Sequence, residues 1–453
     1  MKPFTLQEIA DACGGTYVGD DASRQRTVTS VERDSRHIRD GSLFLAIKGG
    51  RVDGHDFMEQ CYAAGAICAI CETAPQNAAK PYILVDSTLA AVKKIAKAYR
   101  EKFDIPIVGV SGSVGKTSTK EMLYSVLSQR FKTHKTQGNL NNELGVPLTL
   151  LAMPEDTEAA VIEMGISGFG EMTRLSEMVQ PTICVLTVIG CCHLENLGDR
   201  DGVLKAKTEM FAHARDNAAF ILNGDDDKLR TVTEVRGVKP VFFGIGAEND
   251  YYAENIVNNG EDGVRCTLCF GGKRLDAVIP AIGTYMVSNA LAAAAVGSLL
   301  GMTGDEIVRG VEAFENVGRR ARVLHTDGLK IIDDCYNANP TSVQASLDTL
   351  VNLTGRKVAI LGDMKELGAE ELALHFQTGA YARQKGVDLV LCVGPLAEAL
   401  AKGAGGKWFE SVEALEQALP DLLRRGDTVL VKASHSMQFE RITEFLKEMP
   451  VAP

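Results

Sequence analysis

Ile105-Pro106-Ile107-Val108-Gly109-Val110 runs into Ser111-Gly112-Ser113-Val114-Gly115-Lys116-Thr117-Ser118, and Thr119 to Gln129 follow with helical character. An apolar strand, a glycine-rich turn and a helix in that order make a phosphate cradle. The glycines let successive N–H groups converge, the helix adds its positive end, Lys116 brings a cation and Thr117 a hydroxyl for Mg²⁺. The residues expected to form it are Gly112, Ser113, Val114, Gly115, Lys116, Thr117 and Ser118, and the expected ligand is a nucleoside triphosphate. The strict pattern puts a further glycine where this chain has Val110, so the string is the shorter Gly-x-x-Gly-Lys-Thr-Ser.

Outward from this string the chain alternates strand-like and helical stretches. At 453 residues it has room for about three domains. Strand candidates Ile107 to Val110, Ala159 to Glu163, Ile183 to Val188, Ala218 to Leu222 and Val241 to Phe243, with helices between several of them, predict a doubly wound, mainly parallel α/β sheet. Tyr251 to Ile279 is β-like without helices and reads as a peripheral antiparallel patch; helices from Val287 to Leu300 and Asp305 to Phe314 close this unit. Before it, Leu43 to Ile47, His55 to Ala64, Ala66 to Cys71, Tyr82 to Val85 and a helix from Thr88 to Lys102 form a small α/β unit. After it, strands at Leu329 to Asp334, Val358 to Leu361, Leu389 to Val393 and Val429 to Lys432 alternate with helices in a Rossmann-like pattern. No Gly-x-Gly-x-x-Gly follows the first of those strands, so dinucleotide binding has no support. The expected domains are 1–103, 104–317 and 318–453, with a short unstructured tail after Met449.

A net charge of −11 argues against a nucleic-acid surface, so a phosphate site has to be built locally. No apolar run approaches the roughly 20 residues of a bilayer span, and the amino terminus lacks a basic-then-apolar signal, which predicts a cytoplasmic chain. The eleven cysteines are scattered, as expected of reduced thiols. Cys68/Cys71 and Cys266/Cys269 have zinc-like spacing, but in strand-like runs residues three apart face opposite sides.

By position, Glu163 ends the second strand and should project beside the phosphate loop, where a carboxylate can hold Mg²⁺ opposite Thr117. His193 and Glu195 follow the third strand at the same edge. Lys205 to Phe211 reads as the opening of a helix. Lys207 would then sit at a helix amino end, an unfavourable place for a cation.

Thr136-Gln137-Gly138-Asn139-Leu140-Asn141-Asn142-Glu143-Leu144-Gly145-Val146-Pro147, Glu163-Met164-Gly165, His193-Leu194-Glu195, Ala206-Lys207-Thr208-Glu209, Gly318-Arg319, Asp333 to Pro340 and Gly362-Asp363-Met364-Lys365-Glu366-Leu367-Gly368 fall in an order that resembles the Mur ligases over essentially the whole chain. The resemblance implies an ATP-dependent ligase that forms a peptide bond through an acyl phosphate. The Gly-Asp-Met and Gly-Asn strings favour UDP-N-acetylmuramoyl-tripeptide as acceptor and D-alanyl-D-alanine as incoming dipeptide. It further implies two Mg²⁺ ions and a lysine carbamate formed from CO₂ at Lys207, which with His193 and Glu163 would hold the second ion. Arg319 would reach the ATP phosphates, Asp334 the ribose and Asn289 the adenine; Ser35 and Arg36 would meet the uridine diphosphate, and Asn139, Asn141 and Asn142 the sugar or peptide. Monomer is the expected state. Val188, Tyr285-Met286 and His435 depart from the usual family residues. They keep open a nucleotide-binding relative without catalysis, serving as a regulatory or scaffold partner; a second rival is another ligase of the superfamily, acting on a different Mur intermediate or on folate and glutamate.

Overall fold

The computed structural model describes residues 1–50, 52–75 and 80–451, and its backbone is organised around three sheets taken in chain order. In the first, β1 (Thr16–Val18), β2 (Ser30–Glu32), β3 (Ser42–Leu45), β4 (Cys68–Cys71) and β5 (Tyr82–Leu84) lie in the order β1-β5-β4-β3-β2. All pairs are parallel except the edge strand β1. Cys68 and Cys71 belong to different apolar clusters on the two faces of β4, which rules out a shared metal between them. The predicted helix from His55 is divided: Gly54–Phe57 is a 3₁₀ turn and Met58–Ala63 the α-helix.

The central sheet comprises β6 (Ile107–Ser111), β7 (Thr133–Lys135), β8 (Ala159–Glu163), β9 (Ile183–Leu186), β10 (Ala219–Asn223), β11 (Val241–Phe243), β12 (Tyr251–Asn258), β13 (Val264–Phe270) and β14 (Lys273–Ile279). Their order is β14-β13-β12-β11-β10-β9-β6-β8-β7. β6 is fully buried, as a parallel strand covered on both faces must be, and its valines and isoleucine supply that burial. It lies between β8 and β9, so the chain leaves it towards one side and returns to the other. A crevice opens at the carboxyl end of a strand so placed, and ligands collect there. The expected antiparallel patch proves continuous with this sheet, because β12 pairs with β11 before β13 and β14 fold back on it.

The third sheet contains β15 (Arg322–His325), β16 (Leu329–Asp333), β17 (Lys357–Gly362), β18 (Leu389–Val393), β19 (Lys407–Phe409) and β20 (Asp427–Lys432), in the order β15-β16-β20-β17-β18-β19. Only β15 is antiparallel to its neighbour. Past Met449 there is no regular element, as expected, although Val451 still packs on the apolar cluster of this sheet; 452 and 453 lie outside the described residues.

The helix Thr88–Glu101 fastens the first sheet to the central unit. Ser87 caps it, and its buried stripe runs through Ala91, Val92, Ile95, Ala96 and Tyr99. Tyr99 donates its hydroxyl to Met153 O at 2.8 Å. Arg100, 1% exposed, donates to Val179 O, Phe103 O and Gln180 O at 2.8, 2.8 and 3.0 Å. Burial lowers its pKa to about 10, which still leaves it charged at neutral pH. Arg100→Met strands three carbonyls and is expected to lower stability by about 3 kcal/mol, given 1.5–3 kcal/mol for a hydrogen bond to a charged group. A urea midpoint within error of wild type would show that the cation is not the fastening.

Candidate active site

The carboxyl ends of the central and third sheets line one cavity of about 620 Å³. From the central sheet come the Gly112–Gly115 turn after β6, Glu163 from β8, Thr187 and Val188 after β9, Asn223 from β10 and Phe243 from β11. The turn needs its glycines. Gly112 has φ +150°, and a Cβ there would meet Thr187 Oγ1 at 1.9 Å; Gly115 has φ +85° and immediately precedes the helix Lys116–Leu127. Ser113 N donates to Val188 O at 2.7 Å and Thr187 Oγ1 to Val114 O at 2.5 Å, pinning the loop over the end of β9. Lys116 Nζ donates to Gly112 O at 2.8 Å. The lysine is half-buried by surface, yet the protein around its ammonium pulls its pKa down, with Cys192 and Glu163 opposing and Arg320 adding.

Glu163 is 1% exposed and held from several sides. Its Oε2 accepts from Thr117 Oγ1 at 2.9 Å, its Oε1 from Asn141 Nδ2 at 2.7 Å, and its N–H donates to Thr136 Oγ1 at 2.9 Å. Such a hydroxyl–carboxylate pair at the foot of a phosphate loop fits Mg²⁺, a hard ion that prefers a few protein oxygens completed by phosphate and water. Among the described residues no three His, Cys, Asp or Glu side chains are grouped as a metal site.

His193, in the left-handed region with φ 53°, places Nδ1 2.6 Å from Glu366 Oε2 of the third domain but out of hydrogen-bond alignment. Burial lowers its pKa, with Glu366 opposing and Lys207 and Lys116 adding; a neutral imidazole is the form that ligates metals. Lys207 is 1% exposed. Burial brings its amine down to about 8; Cys192 opposes, Lys116 assists, and no carboxylate is among the charges acting on it. Its helix is not where the sequence reading put it. Asp199 caps a helix spanning Arg200–Thr208, so Lys207 lies in the last turn, where the helix dipole favours a cation. The peculiarity of this lysine is therefore burial and not helix position.

Across the cavity, Asp334 is gripped by Lys432 Nζ and Ser346 Oγ, both at 2.6 Å, and by Ala321 N–H at 3.1 Å. Arg319 does not reach the cavity. It pairs with Asp333 and Glu444, each at 2.9 Å, while its neighbour Arg320 lines the cavity with its guanidinium 4.1 Å from the Tyr336 ring centre. Asn289 lines the cavity, accepting from Thr119 Oγ1 at 2.9 Å. Asn141 and Asn142 line it too, but the first holds Glu163 and the second accepts from Leu144 and Gly145 N–H, so both shape the wall. Asn139 is exposed and not part of the lining. Ser35 and Arg36 lie in a 3₁₀ turn of the first unit, away from this cavity, with Arg36 paired to Asp34 at 2.6 Å.

Sequence reasoning missed Arg320, Tyr336, Asn223, Phe243 and Lys432. The last three end β10, β11 and β20, and the strand-end argument that found Glu163 applies to them equally. The departures lie elsewhere than Lys116, Thr117, Glu163 and His193: Val188 acts through its backbone oxygen, Met286 Sδ accepts from Asn289 Nδ2 at 3.2 Å, and the His435 ring lies 5.5 Å from that of Tyr336.

Comparison with known proteins places all three units. The Mur ligase family, catalytic domain, matches residues 27–100, the Mur ligase middle domain 110–297, and the Mur ligase, glutamate ligase domain, 318–435. The UDP-N-acetylmuramoyl-tripeptide--D-alanyl-D-alanine ligase of Bacillus subtilis is 36% identical over 465 residues, covering 100% of each chain. A crystal structure of MurF from Acinetobacter baumannii is 32% identical with a TM-score of 0.91 and covers 99% of this chain and 100% of its own. The MurF ligase of Thermotoga maritima in complex with ADP is 30% identical with a TM-score of 0.82, over 92% of this chain and 97% of that one.

Proposed function

The chain belongs to the Mur ligase family, and from that premise we propose that it joins D-alanyl-D-alanine to UDP-N-acetylmuramoyl-tripeptide at the expense of ATP, in the synthesis of peptidoglycan precursors. The observation that carries this reading is the single cavity walled by a phosphate loop on one sheet and by Asp334, Arg320 and Glu366 on another. The tripeptide carboxylate attacks the γ-phosphorus, forming an acyl phosphate and releasing ADP. The dipeptide amine then attacks the acyl carbon, forms the C–N bond, loses a proton and expels phosphate. Such transfers need little covalent help, so the protein's part is positioning and charge neutralisation.

The turn Gly112 to Gly115 and the start of the following helix, with Lys116, cradle the phosphates; Asn289 faces the base and Asp334, fixed by Lys432, the ribose. Thr117 and Glu163 would hold Mg²⁺, which would supply charge neutralisation to the transferring group, and His193 would contribute to holding a second ion. The first unit, with Ser35 and Arg36, holds the uridine diphosphate, and the third receives the dipeptide. Lys207 becomes a carbamate: its neutral amine attacks CO₂, an N–C bond forms, an electron pair moves to oxygen and a proton is lost. With the amine near 8, roughly a tenth is neutral at pH 7, enough for that attack to proceed. An anion would then face Lys116 and the metal, where the free amine meets only another cation.

The deciding assay measures phosphate release with each acceptor in turn. Release that requires both the UDP-tripeptide and D-alanyl-D-alanine is expected; release with a folate acceptor, or none with any, would displace this reading. A finer prediction separates the two arginines. Arg320→Ala should raise the KM for ATP at least about tenfold, as loss of one charge-assisted contact does. Arg319→Ala should change it less than about twofold, since Arg319 is engaged by Asp333 and Glu444 and does not line the cavity. The reverse pattern would return Arg319 to the phosphates.

A further inference from the structure

Beneath the cavity floor lies a buried cation the reaction does not use. Lys120, on the helix Lys116–Leu127, is 1% exposed. Its Nζ donates to Thr136 O at 2.9 Å, lies 3.0 Å from Glu121 Oε1 and stands 3.7 Å from Glu163 Oε2, the oxygen that also receives Thr117. Glu121 is in turn paired with Lys135, whose ammonium sits 3.9 Å from the ring centre of Tyr124. Glu121 therefore has a second cation of its own.

We propose that Lys120 is the countercharge of Glu163 and makes divalent-cation binding conditional on the nucleotide. Within the cluster linked through Glu163 and Glu121, Lys116, Lys120 and Lys135 face two carboxylates, three cations to two; Lys207, on which neither carboxylate acts, lies outside that cluster as amine or as carbamate. A bare divalent ion meets a carboxylate already matched by a buried ammonium, in surroundings where the repulsion is weakly screened. A polyanionic nucleotide reverses the local sign, and metal and phosphates then enter as one. The enzyme is thereby kept from holding a naked ion that would draw the wrong anion into the loop. Lys120 is a positioning residue: it acts through Glu163 and touches no reacting atom.

This rests on the reading of Thr117 and Glu163 as the metal site, and the experiment separates the two. Free Mn²⁺ is counted by its electron paramagnetic resonance signal in titrations of the full chain, with and without ADP, for wild type, Lys120→Met, Lys120→Gln and Glu163→Gln. Lys120→Gln keeps a donor for Thr136 O and serves if the methionine variant does not fold, as judged by its thermal melt. Wild type is expected to bind Mn²⁺ weakly alone and tightly with ADP. Both Lys120 variants should bind it at least tenfold more tightly without nucleotide, so that the gain contributed by ADP shrinks by the same factor. Glu163→Gln should weaken Mn²⁺ binding in the presence of ADP. If it does so while the Lys120 variants leave nucleotide-free binding unchanged or weaker, Lys120 is a structural brace and the proposal fails alone. If Glu163→Gln binds Mn²⁺ with ADP as wild type does, the metal site itself is wrong and both readings fall.

Discussion

Lys207→Ala is expected to retain less than about one hundredth of wild-type turnover, the usual cost of removing one preorganised charged group beside a reacting centre. The side chain is enclosed, its amine is brought to about 8 by burial, and the like charge that acts on it is Lys116. Were it simply a cation, its removal would relieve repulsion with Lys116; were it a carbamate, removal deletes an anion from a site of concentrated positive charge. Acetate should partly restore the alanine variant by filling the vacated space, and ¹³CO₂ should label the intact lysine. Because CO₂ reacts only with the neutral amine, labelling should rise as pH climbs towards 8 and level off above it. A fully active alanine variant would remove the role. Absent rescue alone would not, since a free acid loses translational freedom on being held.

Lys116→Ala should be as severe in kcat and should also weaken ATP binding. In the structure Lys116 Nζ rests on Gly112 O, a carbonyl of its own loop, so the cation is held at the turn to which the proposed function assigns the phosphates. No other ammonium is built into the Gly112–Gly115 turn. ADP formation measured against ATP concentration tests this, and unchanged kcat and KM would dismiss the phosphate-loop assignment.

Strand, turn and helix around Gly112 were legible because each has its own local signature: buried β-branched residues, glycines at positive φ, and helical residues after Lys116. Glu163 was legible for a related reason, as a charge that ends an apolar strand marks an edge of the sheet. Lys207 was read onto the wrong end of its helix because the capping residue, Asp199, lies six residues before Lys205, beyond an arginine, an aspartate and a glycine that look like loop. The choice between Arg319 and Arg320 depends on the direction of the chain as it enters β15, with Ala321 at φ 51°, and adjacent arginines carry no sign of it. Lys120 escaped notice because a lysine in Lys-Thr-Ser-Thr-Lys-Glu looks solvated; only the fold shows that this side of the helix is covered.

The wall shared by two sheets ties nucleotide affinity to docking of the third domain by thermodynamic reciprocity. If only a fraction of molecules has the two sheet ends together, the apparent dissociation constant is the intrinsic one divided by that fraction, and a tenfold loss of docked population is a tenfold loss of affinity. Leu374, on the helix Glu371–Gln384, packs both on the apolar cluster of its own domain and on that of the first two units. A leucine outside the cavity lining is thereby expected to help set how tightly ATP is held, and substitutions along this seam are expected to shift that affinity without touching the site.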